Sequence, residues 1–171
     1  DDNYVFQYAN GEFCSLTGYG ENEIIGMDFS SLLAEESRLL VISRYLRRQM
    51  EAPAPDHYEF LFIRKDGGRR TGELRSRVYH DSAGKRRTLI QVMDITERKR
   101  FETSLRESEE KFFKAFENSP LVVTISTIDD GRFIEVNKRF LDTFGYERRE
   151  VIGKTSAELG LYADIDQRTA I

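Results

Sequence analysis

Residues 10–26 read NGEFCSLTGYGENEIIG, and residues 137–153 repeat the pattern as NKRFLDTFGYERREVIG. The two stretches align without a gap at an offset of 127 residues, with seven identical positions out of 17. A period of this length is typical of two copies of a whole domain and not of a solenoid, whose repeats are about 20–50 residues long. The 171-residue chain is therefore predicted to contain two related domains.

Each copy carries the signals of a short helix with defined ends. The residues before Asn10 and Asn137 are apolar and predicted as strands, and asparagine is a favourable N-cap for the helix that follows. Gly18 and Gly145 fall where that helix ends in a left-handed residue. We therefore expect a strand, a short helix, a break and a second, shorter helix in both copies.

Between the two copies the pattern changes to one amphipathic helix and three strands. Residues 37–50 have apolar residues at helical spacing, with Arg44, Arg47 and Arg48 predicted to face solvent. An Asp-Gly dipeptide between the first two strands is typical of a tight hairpin turn. The strands are predicted at residues 58–64, 73–79 and 87–95, and their short connections indicate an antiparallel meander.

A charged helix is predicted at residues 97–117, with Thr96 as its N-cap. Its seam positions recur at 4-3-4-3 spacing, at Phe101, Leu105, Ser108, Phe112 and Ala115. The pattern fits a connecting helix that packs on its own domain, and it fits equally well a parallel coiled coil between two subunits. The polar Ser108 weakens the seam, and a seam of two to three heptads is marginal by itself.

The second copy corresponds to only half of the first. Residues 121–125 and 132–136 are predicted as strands, the repeat block follows, and a polar, helix-like stretch runs to Ile171 without a meander. The first copy lacks the strand equivalent to residues 121–127, so we expect an excised fragment of a longer chain. Strand exchange, in which that stretch fills the open sheet edge of a neighbouring molecule, is a further hypothesis. The predicted parts are a first domain at residues 1–97, a linker helix at 98–118 and a second domain at 119–171.

This organisation resembles the PAS domain with its C-terminal PAC segment, as repeated in bacterial sensor proteins of the histidine-kinase type. The resemblance rests on the two repeat blocks, on Arg64-Lys65-Asp66-Gly67 in the meander and on Asp94-Ile95-Thr96-Glu97 at its end. In the second copy Asp130-Gly131-Arg132 and Ser156-Ala157-Glu158-Leu159 extend it, so the motifs span nearly the whole chain. The implied fold class is α+β: a five-stranded antiparallel sheet with helices on one face, followed by a linker helix and the N-terminal half of a second PAS domain.

The resemblance also implies a function. PAS domains bind a small molecule or a partner between sheet and helices, and they pass the change through the last strand and the following helix to an output domain. Here the relay would comprise Asp94, Thr96, Phe101, Leu105 and Phe112. We expect a sensory signal-transduction module of a sensor histidine kinase, without enzymatic activity of its own. The alternatives are the PAS region of a cyclic-dinucleotide signalling protein and a ligand-free protein-interaction or dimerisation scaffold.

Apolar residues on the inner faces of the predicted strands, and on the helices that cover them, form the candidate ligand pocket. A fully packed core without a ligand is the more common outcome of such a pattern. Ser76 is the polar exception, and its hydroxyl group either bonds locally or points at a ligand. The resemblance to PAS domains also implies that Glu23 and Lys65 form a structural ion pair. The pocket candidates are Phe29, Leu33, Leu40, Tyr45, Phe60, Phe62, Leu74, Ser76, Val78, Ile90 and Val92.

The sequence gives little support for a bound cofactor or for catalysis. Flavin-linked light sensors of this superfamily need a reactive cysteine in the helix after the region of Gly26, where this chain has none, and Cys14 lies in the first helix. Haem-binding relatives use a histidine of the long helix, whereas His57 and His80 are predicted in or beside loops. A covalent flavin or a haem is therefore not expected, and a non-covalent flavin or a small organic acid stays open. The sequence holds no phosphate-binding glycine loop, catalytic triad or metal-ligand cluster.

Composition limits the class of protein further. Charged residues make up 33% of the chain and the net charge is −4, which disfavours nucleic acid as the main partner despite basic residues around Arg75 and Arg77. No apolar run approaches the roughly 18 residues of a membrane-spanning helix, so no membrane contact of this fragment is expected. We expect a cytoplasmic module, whether or not its parent protein is membrane-anchored. It is predicted to form a homodimer and to act on a downstream kinase or other output domain.

Overall fold

The computed structural model describes residues 4–161, in two compact units that divide between residues 102 and 103. The first unit contains α1 (Gly11–Thr17), α2 (Glu21–Ile24), a 3-10 helix (Phe29–Leu32), α3 (Glu35–Gln49), β1 (His57–Ile63), β2 (Arg69–His80) and β3 (Arg86–Asp94). Helix α4 (Thr96–Glu117) spans the boundary between the units. The second unit contains β4 (Thr124–Ser126), β5 (Phe133–Val136), α5 (Lys138–Phe144) and α6 (Arg148–Val151).

The repeat block has the same local structure in both units, as predicted. Asn10 caps α1 and Asn137 caps α5, each through a side-chain oxygen that accepts the backbone N–H of the residue three positions on, at 3.0 Å. Both helices end at a glycine in the left-handed conformation, Gly18 with φ 79° and Gly145 with φ 73°. Any larger residue would be strained at these two positions, which explains why both copies have glycine there.

Strands β1, β2 and β3 form an antiparallel sheet in this order, which confirms the predicted meander. Tyr58 pairs with Leu74, and Leu74 pairs in turn with Val92, so these three side chains lie on the same face. Residues of α1, the 3-10 helix and α3 cover this inner face, among them Phe29 and Val41. The α+β class, with an antiparallel sheet and helices on one face, is thereby confirmed.

Helix α3 buries one stripe of residues against the sheet. Val41, Tyr45 and Arg48 are buried at positions i, i+4 and i+7, whereas Met50 is exposed. The prediction that Arg48 faces solvent is therefore wrong, because its guanidinium group donates to the carbonyl oxygen of Pro55 at 2.9 Å. The spacing of this residue, and not its charge, decides its position.

The chain before α1 is less regular than predicted. In place of a strand over residues 5–9, Val5 alone forms a β-bridge, with Asp28. The N–H of Phe6 donates to the carbonyl oxygen of Met27, and the N–H of Gly26 donates back to Phe6. In the described part of the first unit the regular sheet therefore consists of β1, β2 and β3.

The second unit is built on a hairpin of β4 and β5 that carries α5 and α6. Its buried core consists of Phe133, Val136, Phe140, Val151 and Leu159. Strand β4 pairs with β5 of its own unit, and strand exchange between molecules stays a prediction. The helix-like stretch expected toward Ile171 lies outside the described residues.

Asn137 is fully buried, and every hydrogen-bonding group of its side chain has a partner. Its Oδ1 accepts the N–H of Val123 at 3.1 Å as well as that of Phe140 at 3.0 Å. Its Nδ2 donates to the carbonyl oxygens of Phe116 at 3.0 Å and Leu121 at 2.8 Å. Because Phe116 lies in the last turn of α4, this one amide group ties the end of α4 to the start of α5.

Candidate ligand pocket and relay helix

The inner face of the sheet carries a buried apolar layer. Phe60, Phe62 and Leu74 of the sheet are buried together with Leu33 and Val41 from the helical side. The ring centres of Phe60 and Phe62 lie 5.7 Å apart. The structure thus brings most of the predicted pocket residues into one layer between sheet and helices.

Other predicted pocket residues lie at the margin of this layer or outside it. Ile90 and Val92 of β3 are half-buried against it, and Val78 is half-buried further along β2. Leu40 is 38% exposed and is not part of the buried layer, so its role in a pocket stays a prediction. The next residue, Val41, lies about 100° further round the helix and takes the buried position.

Tyr45 forms an aromatic cluster beside the apolar layer. Its ring centre lies 5.1 Å from that of Phe29 and 5.4 Å from that of Tyr4, and the last two rings are 5.8 Å apart. These spacings are typical of favourable aromatic contacts. The cluster fastens the first described residues of the chain to α3 and the 3-10 helix.

Gly72 makes room for Phe60 on the neighbouring strand. The two residues pair across β1 and β2, and a Cβ atom on Gly72 would lie 2.7 Å from Cε1 of Phe60. Carbon atoms in contact are normally about 3.5–4.0 Å apart, so a side chain at this position would displace the ring. The ring of Phe60 therefore occupies the middle of the inner face because β2 has glycine there.

Ser76 is buried on the inner face and bonds locally. Its N–H donates to the carbonyl oxygen of Asp56 at 2.8 Å, and its hydroxyl group lies 3.4 Å from the same oxygen. The 3.4 Å contact is long for a hydroxyl hydrogen bond. A role of this hydroxyl toward a ligand stays a prediction.

Two arginines of α3 border the apolar layer although their charge suggested solvent exposure. Nη2 of Arg48 lies 3.4 Å from the hydroxyl oxygen of Tyr58, and the guanidinium carbon of Arg44 lies 4.1 Å from the centre of the same ring. Arg44 and Arg48 stand at i+3 and i+7 from Val41. This helical spacing is the sequence signal that could have placed both of them on the sheet-facing side.

A groove of about 600 Å³ opens on the other face of the sheet. Arg75 and Arg77 of β2 line it, and they alternate along the strand with the inner-face residues. Ser76 is the one residue that this groove shares with the predicted pocket between sheet and helices. Its lining residues are Asp56, His57, Arg75, Ser76, Arg77, Leu89 and Gln91.

Glu23 and Lys65 form an ion pair that joins α2 to the turn between β1 and β2. Nζ of Lys65 lies 2.6 Å from Oε1 and 2.8 Å from Oε2 of Glu23. Hydrogen bonds from Lys65, and then from the N–H of Gly20, hold the pKa of Glu23 below its ordinary value. Both side chains are 48% exposed, so solvent screens the pair and its contribution to stability is small.

Strand β3 passes into α4 through one buried residue, Ile95. The N–H of Ile95 donates to the carbonyl oxygen of Thr71, and the N–H of Thr71 donates to the hydroxyl oxygen of Thr96, both at 2.9 Å. The N–H of Thr96 donates to Oδ1 of Asp94 at 2.8 Å. The prediction that the Thr96 side chain caps α4 is therefore wrong, because β2 takes up its hydroxyl group. The start of α4 is instead fixed directly to the middle strand of the sheet.

Charged side chains add to this junction on the outer face of the sheet. Nζ of Lys99 lies 2.8 Å from Oε1 of Glu59. Oε1 of Glu73 lies 3.3 Å from Nε2 of His57 and 3.5 Å from Nη2 of Arg98. Burial raises the pKa of Glu73, but its bonds with His57 and Arg98 outweigh this effect and hold the pKa below its ordinary value. The first two turns of α4 are thus paired with β1 and β2.

Farther along α4 the predicted seam is open to solvent. Phe101, Leu105 and Phe112 are 71%, 62% and 58% exposed. Phe116 in the last turn is buried within the second unit. No part of residues 4–161 covers more than half of any of these three apolar residues.

The expectation that no covalent flavin or haem is bound stays a prediction, and the structure places the cysteine and the two histidines on which it rests. Cys14 lies in α1, away from the 3-10 helix that follows Gly26. His57 faces the outer side of the sheet beside Glu73, and His80 is the exposed last residue of β2. Residues 4–161 hold no group of three or more His, Cys, Asp or Glu side chains arranged for a metal ion. None of the helices within the same range combines the length and the apolar composition that crossing a bilayer requires.

Comparison with known families decides what kind of protein this is. A family model described as PAS domain matches residues 1–97, more than half of the chain. The chain belongs to the PAS domain family. A second PAS-domain model matches residues 110–170, so both copies of the repeat fall within PAS matches. PAS domains are regulatory sensors, and the chain is thus a sensory PAS region of a signalling protein.

Several solved PAS structures are similar to this chain. A sensory box histidine kinase/response regulator from Burkholderia thailandensis has 25% identity, covering 63% of this chain and 81% of its own, with a TM-score of 0.47. The N-terminal domain of a diguanylate cyclase with PAS/PAC sensor from Marinobacter aquaeolei has 18% identity, covering 57% of this chain and 90% of its own, with a TM-score of 0.46. The PAS domain of an HTR-like protein from Haloarcula marismortui has 23% identity, coverage of 56% and 76%, and a TM-score of 0.45. The comparison with curated proteins gave no match.

Proposed function

We propose that the first PAS unit senses a small ligand or a protein partner on the inner face of its sheet and relays the change along α4 to a downstream output domain. The observation that carries the proposal is the junction between β3 and α4. The N–H of Thr71 in β2 donates to the hydroxyl oxygen of Thr96, and the carbonyl oxygen of Thr71 accepts the N–H of Ile95. A shift of the sheet therefore moves the first turn of α4 with it.

The exposed seam of α4 supports a homodimer. Phe101, Leu105 and Phe112 share the 4-3-4 spacing of a coiled coil with Ser108, and all three are more than half exposed. A parallel coiled coil with the same helix of a second copy would cover them. Ser108 weakens the middle of this seam, which suits a helix pair with two packings of similar free energy.

The favoured output is the catalytic core of a sensor histidine kinase, in the cytoplasm. This choice rests on the resemblance to tandem PAS repeats of that class, which is an argument by analogy and not by geometry. A cyclic-dinucleotide synthase or hydrolase is the second candidate. The activity of the parent protein separates them: autophosphorylation on histidine supports the kinase, and turnover of a cyclic dinucleotide supports the alternative.

Sedimentation equilibrium of the 171-residue chain tests the dimer. We expect the double variant Phe101→Ser/Leu105→Ser to dissociate at concentrations where the wild-type chain is dimeric. Leu39→Ser is the matched control, because Leu39 is 81% exposed on α3 and lies off the seam. A wild-type chain that is monomeric, or a double variant that dimerises as well as Leu39→Ser, contradicts the coiled coil.

Ser108→Leu in the full-length parent protein tests the relay. A leucine at the seam stabilises one packing of the helix pair, so we expect the autophosphorylation rate to become insensitive to the signal. Glu107→Leu, one position away from the seam, is the control and keeps the response. A response of Ser108→Leu equal to that of the control contradicts the relay and favours a scaffold without signal transfer.

A further inference from the structure

Arg48 of α3 is a buried cation without a counter-ion. The residue is 8% exposed, and its guanidinium group donates to the carbonyl oxygen of Pro55 and to the hydroxyl group of Tyr58. Its Nε atom is buried and has no hydrogen-bond partner. None of the ion pairs formed by residues 4–161 includes Arg48, although burying a charge is costly unless an opposite charge accompanies it.

Arg44, one helical turn earlier, adds a second cation to the same place. Its guanidinium carbon lies 4.1 Å from the centre of the Tyr58 ring, and that of Arg48 lies 5.9 Å from it. Nη1 of Arg44 is buried and also lacks a partner. Within the described residues Arg44 makes no ion pair either. Two like charges therefore meet at one aromatic ring in a chain whose net charge is −4.

We infer that Arg44, Arg48 and Tyr58 bind the carboxylate group of a small organic acid at the end of the apolar layer. The inference rests on the proposed sensory function and names the ligand class of that site. A carboxylate supplies both the negative charge and the oxygen acceptors for the unpaired N–H groups, and arginine binds it with favourable fork geometry.

The side chains around Arg44 and Arg48 favour an acid whose remaining atoms are apolar. Tyr58 belongs to the same buried cluster as Val41 and Leu74. A ligand whose carboxylate meets the two arginines therefore places the rest of its atoms toward aliphatic and aromatic side chains. An inorganic oxyanion has no atoms for those contacts, so we expect an aliphatic or aromatic monocarboxylate to bind better than phosphate.

Thermal unfolding of the 171-residue chain with benzoate and hexanoate tests this inference. A ligand that binds only the folded state stabilises it by RT ln(1 + [L]/Kd), so both acids should raise the Tm of the wild-type chain at millimolar concentration. Benzamide, the neutral analogue of benzoate, and inorganic phosphate should raise it less. Arg44→Met should lose about tenfold or more in benzoate affinity.

Arg44→Met separates a loss of benzoate binding from a loss of folding. The side chain of Arg44 makes no hydrogen bond within the described residues, so Arg44→Met is expected to remain folded even where Arg48→Met, which loses the bond to Pro55, does not. Arg47→Met is the matched control on the exposed side of α3. The inference is overturned by a wild-type chain that neither acid stabilises, by benzoate affinity unchanged in Arg44→Met, or by phosphate alone raising Tm.

Hydrogen exchange of α4 separates this inference from the proposed function. Benzoate binding that depends on Arg44 but leaves exchange in α4 unchanged supports the site and contradicts the relay. The opposite outcome, no carboxylate binding together with a relay altered by Ser108→Leu, contradicts the site alone.

Discussion

The hydroxyl oxygen of Thr96 accepts a hydrogen bond from the backbone N–H of Thr71 at 2.9 Å. The first residue of α4 is thus bonded directly to the middle strand of the sheet. Thr96 is 8% exposed, so the bond is shielded from water. The side chain that helix capping rules would assign to α4 serves β2 instead, while Asp94 accepts the N–H of Thr96.

Replacing Thr96 by valine should destabilise the first unit. The N–H of Thr71 would lose its acceptor in a buried place, which costs about 1–3 kcal/mol. Urea unfolding measures the loss, and hydrogen exchange should show faster opening of the first turn of α4. Thr96→Ser keeps the hydroxyl group and is the control. Equal unfolding free energies of the two variants would show that this hydrogen bond does not hold the junction.

Asn137→Ala should destabilise the second unit far more than Asn10→Ala destabilises the first. Asn137 loses four hydrogen bonds, two of them buried and two partly buried, for about 2–4 kcal/mol, whereas Asn10 loses one exposed cap, for about 1 kcal/mol. Hydrogen exchange in α5 and α1 of the 171-residue chain reports the two effects separately. Similar effects in the two helices would mean that the extra bonds of Asn137 contribute little.

Gly72→Ala should strain the inner face of the sheet. The added methyl group would collide with the ring of Phe60, and overpacking of this kind costs about 1–3 kcal/mol. Gly11→Ala is the control, because a Cβ atom there meets nothing within 4 Å and alanine favours the helix. Thermal unfolding should therefore show a lower Tm for the first variant only. If Phe60 is the cause, the additional change Phe60→Leu should restore part of the lost stability.

The ion pair of Glu23 and Lys65 should make stability depend on pH in the acidic range. Since the pKa of Glu23 is lower in the folded protein than its ordinary value of 4.5, the unfolded chain binds more protons around that pH. The contribution of the pair is therefore present above the ordinary pKa and is lost as the pH falls through the folded pKa. The Tm of Glu23→Gln should lie slightly below that of the wild-type chain at pH 7, because the pair is exposed and screened by solvent.

The same difference in Tm should shrink toward zero as the solution is acidified below pH 4.5. Glu21→Gln, in the same short helix but without an ion pair among the described residues, is the control and should follow the wild-type chain throughout. A Tm difference for Glu23→Gln that stays constant from pH 7 down to strongly acidic solution would show that the charge of this residue is not what stabilises the fold.

Sequence reasoning predicted the features that depend on near neighbours along the chain. The caps at Asn10 and Asn137 and the helix ends at Gly18 and Gly145 need only a few residues each, and all four are where the repeat indicates. The meander also follows from local signals, since short connections leave adjacent antiparallel strands as the simplest arrangement.

Sequence reasoning was wrong where residues far away along the chain determine the burial or the hydrogen-bond partner of a side chain. The burial of Arg48 depends on Pro55 and Tyr58, which come to α3 only after the sheet has formed. The buried position on the sheet-facing side of α3 is taken by Val41 and not by its neighbour Leu40, and the contacts that decide between the two come from the sheet. At Thr96 the competing donor is Thr71, 25 positions earlier in the chain. The sequence of residues 94–97 alone therefore does not indicate that the Thr96 hydroxyl group accepts from Thr71.

Helix α4 is clamped at both ends by buried hydrogen bonds, from Thr71 to Thr96 at its start and from Asn137 to Phe116 at its end. Sliding the helix along its axis by even one residue would break both. The two bonds therefore oppose axial slip of this 22-residue helix, about 33 Å long, against Thr71 at its first residue and against Asn137 in its last turn.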